Sequence, residues 1–208
     1  MSILNAFISK DLGLLGVDTE AILPDGSIAE VCKLVALPHL SAAVGTRGPD
    51  IFAMSVAGSL VACRYSFDDL AKNLPNIMEV AINSTLSIGI SEEECACELV
   101  LVGHSVTAQK IVGHQASKRP GGGIEVSTGW PQLYAPFWCS DEIQALGIVA
   151  DRAGMVSLAK KQCEWARERG PAGNPAGGRF MVAEIRKGSV FISEACEFPA
   201  RTPQSVAA

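Results

Sequence analysis

Charge, aromatic rings and histidine are all scarce in this chain. Of its 208 residues, 19% are Asp, Glu, Lys or Arg, 6% are aromatic, and only three are histidine. A net charge of −5 leaves no basic surface to release counterions from a nucleic acid or to meet an anionic membrane. Lys118-Arg119 is too small a patch to change that. His39, His104 and His114 lack a partner acid or a second His or Cys at ligand spacing, so they read as structural. No metal and no cofactor is expected. Gly121-Gly122-Gly123 has no following Lys-Ser/Thr and reads as a loop, not a phosphate cradle.

Long apolar runs are missing too. The longest, Ile51 to Cys63, is too short for a bilayer and is broken by Ser55 and Gly58. The first residues lack the charged start and apolar core of a signal peptide. The seven cysteines are an odd count without a framework, as in reduced, buried thiols of a cytoplasmic protein. Cys95-Ala96-Cys97 is the one close pair, and on a strand its side chains share a face.

What is present is core. Apolar residues make up 48% of the chain and the mean hydropathy is +0.25. That suits a single domain over residues 1–198, with a loose polar tail at 199–208. It also suits burial of some surface in an oligomer. Neither a repeat nor a linker divides the chain.

The pattern alternates between β and α. Ile3 to Asp18 reads as strand, turn at Ser9-Lys10-Asp11, strand. Leu23-Pro24-Asp25-Gly26-Ser27 is a second turn, followed by short strands at Val31–Leu37 and His39–Val44 around Pro38. Asp50 to Arg64 fits a helix apolar nearly all round. Ser66 caps the next helix, which is expected to kink or restart at Pro75. Strands are expected at Glu98–His104 and Ala108–Gly113, and a loop over Ser117–Gly129. Ser140-Asp141-Glu142 opens a helix expected to reach Ala153, and another spans Val156–Arg169. A Gly/Pro connector at 170–178 leads to a hairpin, Phe180–Ile185 and Ser189–Ser193, around Arg186-Lys187-Gly188. Strands alternating with helix pairs predict an α+β fold: two packed sheets between helix layers.

One constellation carries chemistry. Ser2 follows Met1 directly, Asp18 lies sixteen positions beyond Ser2, and Lys33 thirty-one beyond it. Removal of Met1 would turn Ser2 into a hydroxyl nucleophile with its own base, the α-amine, whose ordinary pKa is about 7.7–8.0. A lysine held by a carboxylate would tune both groups.

The segment Gly13-Leu14-Leu15-Gly16-Val17-Asp18-Thr19-Glu20-Ala21 resembles the second strand of proteasome β-type subunits, which are N-terminal-nucleophile hydrolases. Cys32-Lys33-Leu34-Val35 resembles the family's lysine strand, one residue short of its usual spacing. Val44-Gly45-Thr46-Arg47-Gly48-Pro49-Asp50 resembles its glycine turn before the first long helix. Gly177-Gly178-Arg179-Phe180-Met181-Val182 resembles the approach to its last strands. The resemblance implies a four-layer αββα sandwich. It also implies amide or peptide hydrolysis by Ser2, with Asp18 and Lys33 tuning and Gly45 as oxyanion donor. A ring or stacked homo-oligomer is implied as well, and methionine removal alone would suffice to free Ser2. Two features depart from the family. The loop Gly170 to Ala176 contains no acid to support the amine, and the family's Ser-Gly pair is represented by Ser140-Asp141. Two rival readings stay open: a non-catalytic subunit with a structural or assembly role, and a small-molecule amidase or acylase.

Overall fold

The computed structural model describes residues 2–23, 27–61, 64–92, 95–136, 140–169 and 176–199. Trp138, the turn at 24–26, most of the Gly/Pro connector and the tail from Ala200 lie outside the described residues, as do the side chains of Ser140 and Asp141.

The first hairpin forms as its alternation demands. Strands β1 (Leu4–Ile8) and β2 (Gly13–Asp18) pair antiparallel around Ser9, whose hydroxyl exchanges hydrogen bonds with Leu12. A small ribbon, β3 (Glu20–Ile22) with β4 (Ile28–Glu30), follows. Next, β5 (Leu34–Leu37) and β6 (Ala42–Arg47) are joined by a 3₁₀ turn over Pro38–Leu40. His39 and Leu40, expected in a strand, lie in that turn because Pro38 starts it and Ser41 closes it with φ of 50°.

Helix α1 (Asp50–Val61) leads to α2 (Phe67–Ser87), whose Asp69 N–H donates to the Ser66 hydroxyl. Helix α2 runs on through Pro75 without restarting, one of the two outcomes expected there. The proline removes one helical N–H, but Leu70, Leu74, Met78 and Ala81 stay buried on one face across it, and that packing carries the helix through.

Strands β7 (Cys97–Ser105) and β8 (Lys110–Lys118) form the longest hairpin of this half. The stretch read as a loop contains β9 (Ile124–Thr128), a short, mostly exposed edge strand whose Ile124-Glu125-Val126-Ser127 alternation is flanked by glycines on both sides. Unforeseen too is β10 (Gln132–Ala135), which pairs with β1. The helix expected to run from Ser140 to Ala153 is shorter: α3 (Ser140–Ala145) stops before Gly147 at φ of 58°, and α4 (Arg152–Arg169) begins ahead of the expected Val156, where Asp151 Oδ1 accepts the Gly154 N–H. Strands β11 (Arg179–Arg186) and β12 (Ser189–Glu197) close the chain around Gly188.

The strands assemble into two mainly antiparallel sheets, β10-β1-β2-β11-β12 and β5-β6-β7-β8-β9. Between them Leu4, Leu15, Val17, Val100, Val102 and Ile185 form one buried cluster. A second cluster packs α1 and α2 against the second sheet through Phe52, Leu60, Leu74 and Leu101. A third packs α3 and α4 against the first sheet through Ile143, Met155, Leu158 and Phe180. Among the described residues no helix is long and apolar enough to cross a membrane.

Candidate active site

The ends of several strands meet at one pole of the two sheets. Asp18 is the last residue of β2, a strand flanked by β1 and β11, and is fully buried. Lys33 precedes β5, and its carbonyl accepts the Thr46 N–H at 2.9 Å, which fixes its backbone to β6. Ser2 precedes β1. These three residues, far apart in sequence, converge as the spacing suggested: Lys33 Nζ donates to Ser2 Oγ at 2.9 Å and to Asp18 Oδ1 at 3.3 Å. Its third proton goes to the Glu20 carbonyl. All three ammonium protons of Lys33 therefore have an acceptor.

Asp18 is held as firmly. Its Oδ1 also accepts the Ile3 N–H at 2.9 Å, and its Oδ2 accepts the Gly177 N–H at 3.4 Å. Burial pushes the Asp18 carboxyl above its ordinary range, while Lys33 and the two backbone N–H groups pull it back. Burial pushes the Lys33 ammonium below its ordinary range, with Asp18 the main opposing influence. Both shifts favour the neutral forms, because removing two charges from water outweighs their attraction here.

Gly45 lies elsewhere. It sits inside β6 opposite Leu34 and Val100, and its α-carbon faces Leu15 and Val17 between the sheets, where a methyl group would come within 3.2 Å of Val17. A side chain there would wedge the sheets apart. Of this segment, Arg47 and Gly48 border Ser2 instead, in a cleft of about 1240 Å³ that also runs past Glu98, Lys118 and Ser127. Gly48 has φ of 143°, which glycine alone adopts readily. Ser140 heads α3, and its side chain lies outside the described residues.

The sequence reading overlooked Arg47 and Glu98. Arg47 Nε donates to the Ser2 carbonyl at 2.7 Å, and its Nη1 bonds Glu98 Oε2 at 2.5 Å. The signal was period two: Ala43, Gly45 and Arg47 share a face of β6, and Glu98, Val100 and Val102 share the matching face of β7. The last position of the first row and the first of the second are charged, and Arg47 and Glu98 are cross-strand partners. Cys95 and Cys97 do meet, with sulfurs 3.6 Å apart, but both are buried and burial pushes the Cys97 thiol upward. Among the described residues no group of three or more His, Cys, Asp or Glu gathers as a metal set.

No protein-family profile matches the sequence, and no curated protein matches it significantly. Solved structures of Anbu proteins do resemble it in fold. A Gly-1 mutant of Anbu from Hyphomicrobium sp. strain MC1 superposes with a TM-score of 0.63 at 12% identity, over 94% of this chain and 88% of that one. Anbu from Pseudomonas aeruginosa, solved as a helical assembly, gives 0.65 at 13% identity, over 93% and 85%. Anbu from Yersinia bercovieri, described as an ancestral β-subunit, gives 0.62 at 14% identity, over 89% and 82%. The chain thus has an α+β, proteasome-like fold.

Proposed function

We propose that this chain is a proteasome-β-like N-terminal-nucleophile hydrolase that cleaves amide or peptide bonds through Ser2 once Met1 is removed. One observation carries the reading: a serine next to the N-terminus meets a buried lysine and a buried carboxylate at the mouth of a long cleft. The two sheets and their flanking helices are read as a four-layer αββα sandwich.

The chemistry follows from the donor count. When Lys33 is neutral it keeps two N–H donors, for Asp18 and the Glu20 carbonyl, and its lone pair faces Ser2 Oγ. Its lowered proton affinity suits it to take the hydroxyl proton as the oxygen attacks the substrate carbonyl carbon. The freed α-amine is the second base within reach. The tetrahedral oxyanion needs a donor. We assign it to the Gly48 N–H in place of Gly45, because Gly48 lines the cleft beside Ser2 whereas Gly45 lies within β6, paired on both sides. Collapse breaks the C–N bond, the leaving amine takes the proton, and water then hydrolyses the seryl ester. Ser140 is kept as a candidate support for the amine.

The substrate class is a peptide or other amide, and the compartment the cytoplasm. A ring or stacked homo-oligomer is supported by the helical assembly of the Pseudomonas protein. Met54 and Val61, 65% and 85% exposed on α1, offer apolar surface for it. A second reading, a non-catalytic subunit of the same fold, is favoured by the lack of any acid in Gly170 to Ala176. Intact mass with and without an epoxyketone, which bonds both amine and hydroxyl of an N-terminal serine, separates the two. Loss of one methionine plus one adduct at Ser2 supports the hydrolase. A full-length mass without adduct leaves the structural subunit.

A further inference from the structure

The Ser2–Ile3 peptide is gripped on both edges. Its carbonyl oxygen, on Ser2, accepts from Arg47 Nε at 2.7 Å, and its N–H, on Ile3, donates to Asp18 Oδ1 at 2.9 Å. A peptide unit is planar, so fixing its two polar atoms fixes the rotation of the whole plane. That plane contains the α-carbon of Ser2, so holding it anchors the atom from which both the nitrogen and the hydroxyl extend and leaves only ψ and χ1 of Ser2 to vary. Arg47 is itself braced by Glu98 on the neighbouring strand, with side chains only 15% and 14% exposed. Such a half-buried, cross-strand pair is far stiffer than a surface lysine, because a guanidinium presents its donors in a fixed fork.

This matters more for serine than for threonine. A threonine nucleophile carries a β-branch that restricts χ1, whereas serine swings among rotamers. In this chain the restriction must come from outside the side chain. Lys33 supplies one point, on Oγ.

From this geometry we infer that Arg47, braced by Glu98, is a positioning residue. It immobilises the Ser2–Ile3 peptide and so compensates for the γ-methyl that Ser2 lacks. The inference rests on the hydrolase reading for its purpose, but the clamp itself is a property of the fold. The Arg47 charge also acts on Lys33 in the direction that favours its neutral form, which couples the clamp to the base.

The test compares Arg47→Met, Arg47→Lys and Glu98→Gln with the unaltered protein, each also in a Ser2→Thr background. Two readouts are taken. The first is amide hydrogen exchange at Ile3, which needs no activity: Arg47→Met should raise its rate at least tenfold, and Arg47→Lys and Glu98→Gln by less. Unchanged Ile3 protection in Arg47→Met overturns the clamp whether or not the protein is a hydrolase. The second is turnover of an amide substrate. In Arg47→Met, kcat should fall by roughly 10²-fold with KM little changed, as for other misplacements of about 1 Å. Introducing Ser2→Thr there should recover a larger share of kcat than it gains in the unaltered protein. A rise in KM alone would make Arg47 a substrate contact and overturn the inference. Absence of turnover and of adduct in the unaltered protein would sink the hydrolase reading while leaving the exchange result to decide the clamp.

Discussion

Lys33 Nζ and Ser2 Oγ lie 2.9 Å apart although one residue introduces a strand of the first sheet and the other a strand of the second. The contact spans the seam between the sheets, where neither residue alone could build a site. Its removal is the most direct probe. Lys33→Met should lower kcat/KM by on the order of 10²–10⁴, the usual contribution of a positioned acid or base, with the fold intact by circular dichroism. Retained turnover would leave the α-amine as the sole base.

The rate should rise with pH through the ionisation of Lys33, which burial places below the ordinary lysine range. Asp18 stabilises the ammonium, so Asp18→Asn should move that limb to lower pH while reducing the maximum. A limb that stays in place would assign it to the α-amine instead.

Gly48 and Gly45 make opposite predictions. A methyl at Gly48 meets Cys97 Sγ at 3.1 Å and the φ of 143° is hostile to alanine. Gly48→Ala should therefore cost about 1–3 kcal/mol of stability and, by displacing the N–H, 10²–10³ in kcat. Gly45→Ala presses on Leu15 and Val17 between the sheets and should lower stability with a much smaller loss of kcat. Thermal melts and kinetics on both variants decide which glycine supplies the donor.

Asn5 and Gln162, both wholly buried, exchange two side-chain hydrogen bonds between β1 and α4, at 2.6 Å and 3.0 Å. Gln162→Leu leaves the Asn5 amide unsatisfied and should cost about 1–3 kcal/mol. At roughly 2–4 °C per kcal/mol for a domain of this size, differential scanning calorimetry will resolve the shift. A double Asn5→Leu/Gln162→Leu variant should recover part of it.

His114 is half-buried beside Phe67, and burial holds its pKa below the ordinary value, with Asp68 opposing. The unfolded chain then binds the proton more readily than the folded one. Stability should therefore fall as pH drops from about 6.5 through the folded-state pKa. His114→Gln should flatten the urea midpoint against pH across that window.

Much of this was legible from local chemistry. The Ser9 turn, the Ser66 cap and the Gly188 hairpin are each set by residues within a few positions, and each formed where expected. The meeting of Ser2, Asp18 and Lys33 was legible only as a spacing. What escaped was decided by packing. Pro75 does not restart α2, whose buried face continues across it. The edge strand Ile124–Thr128 alternates over only five residues among glycines, too briefly to stand out from a loop. The Arg47–Glu98 bridge depends on the register between β6 and β7, which no short window contains.

Both shifts at the site point the same way. Burial pushes Asp18 and Lys33 toward neutrality, so holding them as an ion pair opposes folding. Replacing such a pair by well-packed apolar residues is often neutral or stabilising. Exchanging the lysine and the aspartate together should leave the sheets in place, with a melting temperature unchanged or higher. In stability terms the pair is something the sheets hold, not something that holds them.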